Sequence, residues 1–380
     1  MKPKVLHVAT AHFPLDTRIF RKEILSLVRH GYDVGWATTV ARSQSLDQVP
    51  FIPLGEYGGS RWRRIPRNLR ALRAMLASRA SLIHFHDAEL LITVIPALLT
   101  GKKIIYDIHE FYYERIRESL WIWKGGRLLA AKFYEALERL LIPHFVGIVV
   151  VTERMEKMYR ERFPRARIAL VRNYPLLSQE DRAAILSKGS PLDAPYIVQV
   201  GGAHRLKAFD VIVAAAEILR WRGVSAPIVI IGPINLEDYS PGERTDLLAR
   251  SKVADVRLLG IMEHPEMMRW IAYAKVGYLV RTDVDNSRFA LPTKLFEYFA
   301  MGIPVVATAV GLMEDLVKEN NAGLAVTAGD PEAHAAALEK LLTDDAFSKR
   351  AAAASRQAGH RYSFATELEP LLNLYSQCSS

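Results

Sequence analysis

Short runs of aliphatic and β-branched residues recur along the chain, separated by longer stretches in which apolar side chains return every three or four positions. In the first half the runs are 5–9, 34–38, 82–85, 104–108, 148–151 and 168–171. In the second half they are 196–200, 228–231, 256–259, 276–280, 304–307 and 324–326. Runs with almost no polar alternation belong to strands covered on both faces, and the 3.6-residue pattern between them belongs to the covering helices. Two such series predict an α/β chain of two doubly wound, Rossmann-like domains. A turn-rich stretch at 173–195 holds Asn173-Tyr174-Pro175, Gly189-Ser190-Pro191 and Ala194-Pro195 and marks the break. The domains are therefore read as 1–175 and 176–362, with a last helix at 363–380. Ligands of such sheets bind beyond the carboxyl ends of the strands, so a cleft between two facing domains is the expected site.

Composition narrows the class. The chain has 380 residues, half of them hydrophobic and 24% charged, which excludes a disordered or collagenous chain. One cysteine, Cys378, allows neither a disulfide framework nor a cysteine zinc site, and fits a reducing compartment. The apolar run after Met1 is short and interrupted by His7, unlike a signal-peptide core. The longest uncharged stretch, 298–313, contains two glycines and a proline and is shorter than the roughly 20 residues of a membrane-spanning helix. A cytoplasmic protein is expected. The net charge of +9 is unevenly spread. Residues 1–190 carry 31 Lys and Arg against 18 Asp and Glu, a net +13, whereas residues 191–380 carry a net −4. The halves therefore meet different partners.

The first chemical candidate follows the first strand of the second half. Gly201-Gly202-Ala203-His204-Arg205-Leu206-Lys207 leads from that strand into a helix. Paired glycines and a helix start let backbone N–H groups approach a phosphate, with Arg205 and Lys207 as cationic donors. An ordinary βα loop reads the same way. The second candidate is Asn286 through Val306, read as loop, helix, glycine stop and strand. Pro292 and Thr293 start the helix, which puts Lys294 in its first turn and Glu297 one turn on. A cation there suits a bound phosphate, and the carboxylate suits a ribose. The alternative is an internal Lys294–Glu297 pair.

This second segment resembles the nucleotide-sugar signature of glycosyltransferase family 4, in a variant reading Pro-x-Lys-x-x-Glu-Tyr-x-Ala-x-Gly-x-Pro-Val. Ala11-His12-Phe13-Pro14-Leu15-Asp16-Thr17-Arg18-Ile19-Phe20, Asp107-Ile108-His109-Glu110, Val171-Arg172-Asn173 and Tyr362-Ser363-Phe364 fit the same family in the same order. The resemblance implies the GT-B fold, with the donor on the C-terminal domain, the acceptor on the N-terminal one and the last helix crossing back. It also implies retaining transfer with no metal and no cofactor beyond the nucleotide diphosphate sugar, a UDP- or GDP-sugar. By position, Gly201, Gly202, Arg205, Lys207, Thr293 and Lys294 would hold the diphosphate. Glu297, Gly232, Gly260 and Ile261 would hold ribose and base. Two departures stand out: Gly202 occupies a position where many members have arginine, and Phe289 one where many have glutamate. Asp283, Asp285 and Asn286 are substitutes near the donor sugar.

In the first half, His109 follows Asp107 at a strand end and titrates near neutrality, so it is the candidate catalytic group with Glu110 and Asp107. The alternative is a histidine satisfied at the sheet edge. Asp16, Arg18 and His86 are candidate acceptor contacts, with helix capping as the alternative for Asp16. His84 and His86 share a strand face, but no third metal ligand is evident, so no metal is assigned. From Tyr57 to His86 there is no acidic residue, while Trp62, Ile65, Leu69, Leu72 and Leu76 recur at helical spacing among Arg63, Arg64, Arg67 and Arg70. Such a stripe packs inward on its domain, lies on an anionic membrane or binds nucleic acid. No nucleic-acid motif accompanies it, and the membrane reading is adopted. The whole reads as a cytoplasmic, peripheral membrane glycosyltransferase of cell-surface polysaccharide or glycolipid synthesis, acting on a glycan or lipid-linked glycan. A nucleotide-sugar epimerase and a non-catalytic partner subunit are the alternatives on the same fold.

Overall fold

In a computed structural model the chain divides into two compact units, Met1–Asn173 with Phe364–Ser380, and Tyr174–Ser363. The described residues are 2–58, 64–118, 122–283 and 292–379. The first unit carries strands β1 (Lys4–Val8), β2 (Asp33–Thr38), β3 (Gln44–Leu46), β4 (Val49–Pro53), β5 (Leu82–Phe85), β6 (Lys103–Ile108), β7 (Gly147–Val150) and β8 (Ile168–Leu170). They form one sheet in the order β3-β4-β2-β1-β5-β6-β7-β8, with only the β3–β4 pair antiparallel. The second unit carries β9 (Ile197–Val200), β10 (Ile228–Ile231), β11 (Val256–Gly260), β12 (Val276–Leu279), β13 (Val305–Thr308) and β14 (Gly323–Val326). Its order is β11-β10-β9-β12-β13-β14. Counted within the unit this is 3-2-1-4-5-6, the doubly wound Rossmann order that reverses beside its first strand.

The helices that matter below are α1 (Arg64–Ala77), α2 (Lys124–Leu141), α3 (Phe209–Trp221), α4 (His264–Ala272), α5 (Thr293–Met301) and α6 (Phe364–Ser379). The unit boundaries fall at 173/174 and 363/364, against 175/176 and 362/363 from the sequence. Strands β3 and β4 had no counterpart in the sequence reading. β3 is an exposed, mostly polar edge strand, and β4 inside it is interrupted by Pro50 and Pro53, so neither gives a continuous apolar run to detect.

Helix α1 reverses one expectation. Its buried residues are Arg67, Ala71, Ala74 and Met75, whereas Ile65, Leu69 and Leu76 are exposed. The sequence placed Arg67 on a membrane-facing surface. Instead its guanidinium is buried and donates to the carbonyls of Thr10, Glu56 and Gly58, closing the loop before α1. Three backbone acceptors in a dry site repay the desolvation of one fork-shaped cation. Arg64 and Arg70 remain exposed, and Trp62 and Arg63 lie outside the described residues.

Candidate functional site

In the second unit, β9 ends in Gly201 and Gly202, both with positive φ. A Cβ on Gly202 would lie 2.2 Å from the carbonyl oxygen of Pro233, and one on Gly232 would lie 2.5 Å from the Gly202 nitrogen. The two loops therefore pack backbone against backbone. This accounts for glycine where many relatives in the family pattern have arginine: no side chain fits. A Cβ on Gly201 would lie 3.1 Å from Lys207 Cε, so the bare glycine lets the lysine lie across the strand end. Lys207 closes a short turn, Arg205–Lys207, and Ala208 in left-handed geometry leads into α3.

Burial and the charges of Arg281 and Lys294 push the Lys207 ammonium down to about 8. Arg281, two residues beyond β12, is itself lowered by burial, and its Nε is buried with no hydrogen-bond partner. No ion pair is formed by Lys207 or Arg281 among the described residues. Lys294, in the first turn of α5, reaches Glu297 at 3.0 Å. Burial opposes the charge of Glu297, but a hydrogen bond from His264 of α4 and the charge of Lys294 prevail and hold it ionised. Lys207 thus lies in the field of Arg281 and Lys294, and of these cations Lys294 alone pairs with a carboxylate among the described residues, leaving positive charge to be answered.

Arg205 does not join them. It is exposed, donates to Asp238 O, stacks on Tyr239 and approaches Glu243. Thr293 opens α5, Gly260 accepts a hydrogen bond from Gly232 N, and Ile261 is exposed. Asp283 is exposed, and Asp285 and Asn286 lie outside the described residues. The sequence reading missed Arg281, His264 and the buried, unpartnered amide of Gln199. A cation directly after a strand of the donor domain was the available signal for Arg281.

In the first unit, His109 and Asp107 do come together, with Nε2 to Oδ2 at 2.8 Å. Asp107 is fully buried, so it holds His109 rather than meeting a substrate. Burial opposes its ionisation, but Arg18 and His109 keep it well below the usual carboxylate range. Arg18 and His86 were expected to contact an acceptor; both are buried on Asp107, at 3.1 and 3.2 Å. Asp16 accepts from the N–H groups of Arg18 and Ile19, which makes it the cap of the π-helical turn Thr17–Ile24. Glu110 pairs with Arg115.

A cavity of about 1120 Å³ opens beside His109. His12, Asp87 and His109 line it together with Ile92, Phe133 and Leu137. The sequence reading assigned no role to His12. It lies 3.0 Å from Asp87; burial works against its charge, but the Asp87 hydrogen bond and charge outweigh that and raise it. Both imidazoles are therefore backed by carboxylates. His7, Glu23, His84 and His86 also converge, each with one ligand-type atom within 4.8 Å of the others. Arg18 stands 3.1 Å from Glu23, and both ring nitrogens of His7 are hydrogen-bonded, so this donor set is poorly suited to a cation.

Residues 194–344 match the family model described as glycosyl transferases group 1, and residues 17–174 match that of glycosyltransferase family 4. The chain belongs to glycosyltransferase family 4. Among curated family members, D-inositol 3-phosphate glycosyltransferase of Xylanimonas cellulosilytica is 31% identical over 193 residues, covering 50% of this chain and 44% of that protein. The protein of the same name from Thermobispora bispora is 31% identical over 240 residues, 60% of this chain and 54% of its own. The chain thus spans about half the length of the curated relatives it matches. Among solved structures, sucrose-phosphate synthase of Thermosynechococcus elongatus superposes with a TM-score of 0.69 at 18% identity, covering 100% of this chain and 99% of that one. Anabaena HepE, solved with UDP and glucose, gives 0.66 at 14%, covering 98% and 99%. At these identities the likeness is one of fold, and the fold of this family 4 chain is GT-B.

Restoring the arginine of the family pattern at position 202 should therefore destabilise rather than help. Gly202→Arg is expected to lower unfolding stability by at least ~2 kcal/mol, from positive φ plus the clash with Pro233. Urea unfolding of the variant checks this; unchanged stability would contradict the backbone packing.

Proposed function

We propose that this chain transfers a sugar from a nucleoside diphosphate sugar to an acceptor hydroxyl, with retention at the anomeric carbon. The observation that carries the reading is the cation group Lys207, Arg281 and Lys294, in which, among the described residues, only Lys294 has a carboxylate partner, Glu297. A diphosphate supplies the missing negative charge. As the bond from the anomeric carbon to the diphosphate breaks, charge grows on the leaving oxygen, and fixed cations stabilise that state more than the ground state. Glu297, lying one turn beyond Lys294, serves the ribose hydroxyls. HepE, solved with UDP, makes UDP-glucose the first donor to test.

The first unit takes the acceptor. His109 commits Nε2 to Asp107 and leaves Nδ1 for a substrate hydroxyl in the cavity. The bond formed is between that hydroxyl oxygen and the anomeric carbon. The cavity is large for a monosaccharide and half apolar, which supports a glycan carried on an apolar group. An anionic membrane surface is part of the proposal. Ile65, Leu69 and Leu76 face outward on α1 beside exposed Arg64, Arg70 and Arg73. Leu128, Leu129, Phe133 and Leu140 are exposed on α2, and Trp123 precedes them. Apolar stripes flanked by cations suit the boundary between headgroups and acyl chains. None of the helices, among the described residues, is long and apolar enough to cross a membrane.

Two measurements test this. A diphosphate beside Lys207 restores its proton, so UDP binding at about pH 8.5 takes up protons and weakens as pH rises further. Calorimetry in buffers of different ionisation enthalpy reads that uptake, and binding without it removes Lys207 from the site. For the surface, the protein floats with anionic vesicles and Leu69→Glu with Arg73→Glu abolishes flotation; equal flotation of wild type and variant contradicts the membrane reading.

A further inference from the structure

The carboxyl side of the first sheet holds an unusual amount of buried polar chemistry. His7 on β1 and His84 on β5 are paired in register, and His86 lies just beyond. All three rings are fully buried, as is Asp107 on β6. Tyr375 enters from α6, also fully buried. The contacts run in sequence. Asp107 Oδ2 lies 3.2 Å from His86 Nδ1. His86 Nε2 lies 3.0 Å from His7 Nδ1. His7 Nε2 lies 3.0 Å from the Tyr375 hydroxyl, which lies 2.6 Å from His84 Nδ1.

A neutral imidazole has one donor and one acceptor nitrogen, so a chain like this has only two self-consistent directions. Burial favours neutral rings throughout: it lowers His7, His84 and His86, the last to about 4 against the pull of Asp107. In one direction Asp107 is ionised and accepts from His86 Nδ1–H, His86 accepts from His7 Nδ1–H, His7 accepts from Tyr375, and Tyr375 accepts from His84 Nδ1–H. In the other direction every proton is reversed and Asp107 must carry one. The donors around Asp107 choose between them. Arg18 NH2 reaches both its oxygens at 3.1 and 3.3 Å, and His109 Nε2 reaches Oδ2 at 2.8 Å. Glu23, buried beside Asp107, has Arg18 at 3.1 Å and hydrogen-bonds with Asp107; burial and the Asp107 charge raise it well above the usual carboxylate range. The extra proton therefore sits on Glu23, and Asp107 stays charged.

We infer that the buried chain Asp107–His86–His7–Tyr375–His84 is a polarity-fixing network in which Tyr375, from the last helix, is a positioning residue for His109. Arg18 and His109 hold Asp107 charged, and the ordered rings add His86 Nδ1–H to the donors it accepts from. Asp107 in turn draws the proton of His109 to Nε2 and leaves Nδ1 bare toward the cavity. The inference rests on the proposed use of His109 for its consequence in catalysis, but its proton order stands independently. The charged and titratable groups facing this set are Arg18, Glu23 and Asp16 from the π-helical turn, Tyr32 and Cys378 beside Tyr375, and His12, whose ring lies 5.2 Å from that of His109. Glu110 follows His109 in sequence and is paired with Arg115.

The test uses the full chain labelled with ¹⁵N-histidine. Long-range ¹H–¹⁵N correlation spectra report the protonated nitrogen of each ring. In wild type, His7, His84 and His86 are expected as Nδ1–H across about pH 5.5–8.5 by the two-direction argument, a range that lies wholly above the about 4 to which burial moves His86. Neutral His109 is expected as Nε2–H. Nε2–H on His7 or His86 overturns the inference without any variant. In Tyr375→Phe the order is released: mixed tautomers appear at His7 and His86. The kcat then falls by at least about threefold, because His86 no longer always donates to Asp107 and His109 loses its single tautomer. Donor KM is unchanged. A variant that only loses thermal stability, with tautomers and kcat in place, overturns the positioning role. His109→Ala separates the two claims. Full activity in that variant sinks the proposed use of His109, while the spectra still decide the proton order.

Discussion

Lys207 and Arg281 are partly buried in each other's field with no carboxylate beside either among the described residues, and the second unit is organised around that imbalance. Partly burying like charges is unfavourable, and a folded chain keeps such an arrangement only where something outside it supplies the opposite charge. The backbone makes room. Gly202, Gly232 and Pro233 pack without side chains between them, and Gly201 lets Lys207 lie flat over the end of β9. Glu297 is held by His264 and Lys294 and does not reach Lys207 or Arg281 in an ion pair. The diphosphate of the proposed donor would supply the missing charge.

The first unit settles buried charge in the opposite way. Asp107 is surrounded by Arg18, His86 and His109 and needs nothing from outside. His109 and His12, the latter backed by Asp87, line the cavity. The second unit thus presents unanswered charge, whereas the first presents imidazoles paired with carboxylates. That contrast is what the proposed division of labour asks for: a diphosphate on one unit and a neutral hydroxyl on the other.

Much of this was legible in the sequence. The six strand runs of the second half fall within a residue or two of β9 to β14, since a strand buried on both faces leaves a continuous apolar signature. Lys207, Lys294 and Glu297 were placed by motif and local helix geometry. Other features were hidden for identifiable reasons. Arg67 looks like any arginine on a basic helix, and only the loop carbonyls of Glu56 and Gly58 show that it points inward. The apolar stripe of α1 has the spacing of a core face, yet it is exposed, because the side of the helix that enters the core carries Arg67, Ala71, Ala74 and Met75. Arg205 reads as a phosphate ligand until Tyr239 and Glu243 are brought to it by the fold. Tyr375 carries no local signal, because its partners His7 and His84 lie 368 and 291 positions away.

The most direct test of the central claim is the affinity of UDP relative to uridine, measured by calorimetry at pH 7 in wild type and in Lys207→Ala with Arg281→Ala. Two charge-assisted contacts to the diphosphate make UDP bind more than about tenfold tighter than uridine in the wild type, and the double variant loses most of that margin. Equal affinity for the two ligands in wild type, or an undiminished margin in the double variant, would contradict the account.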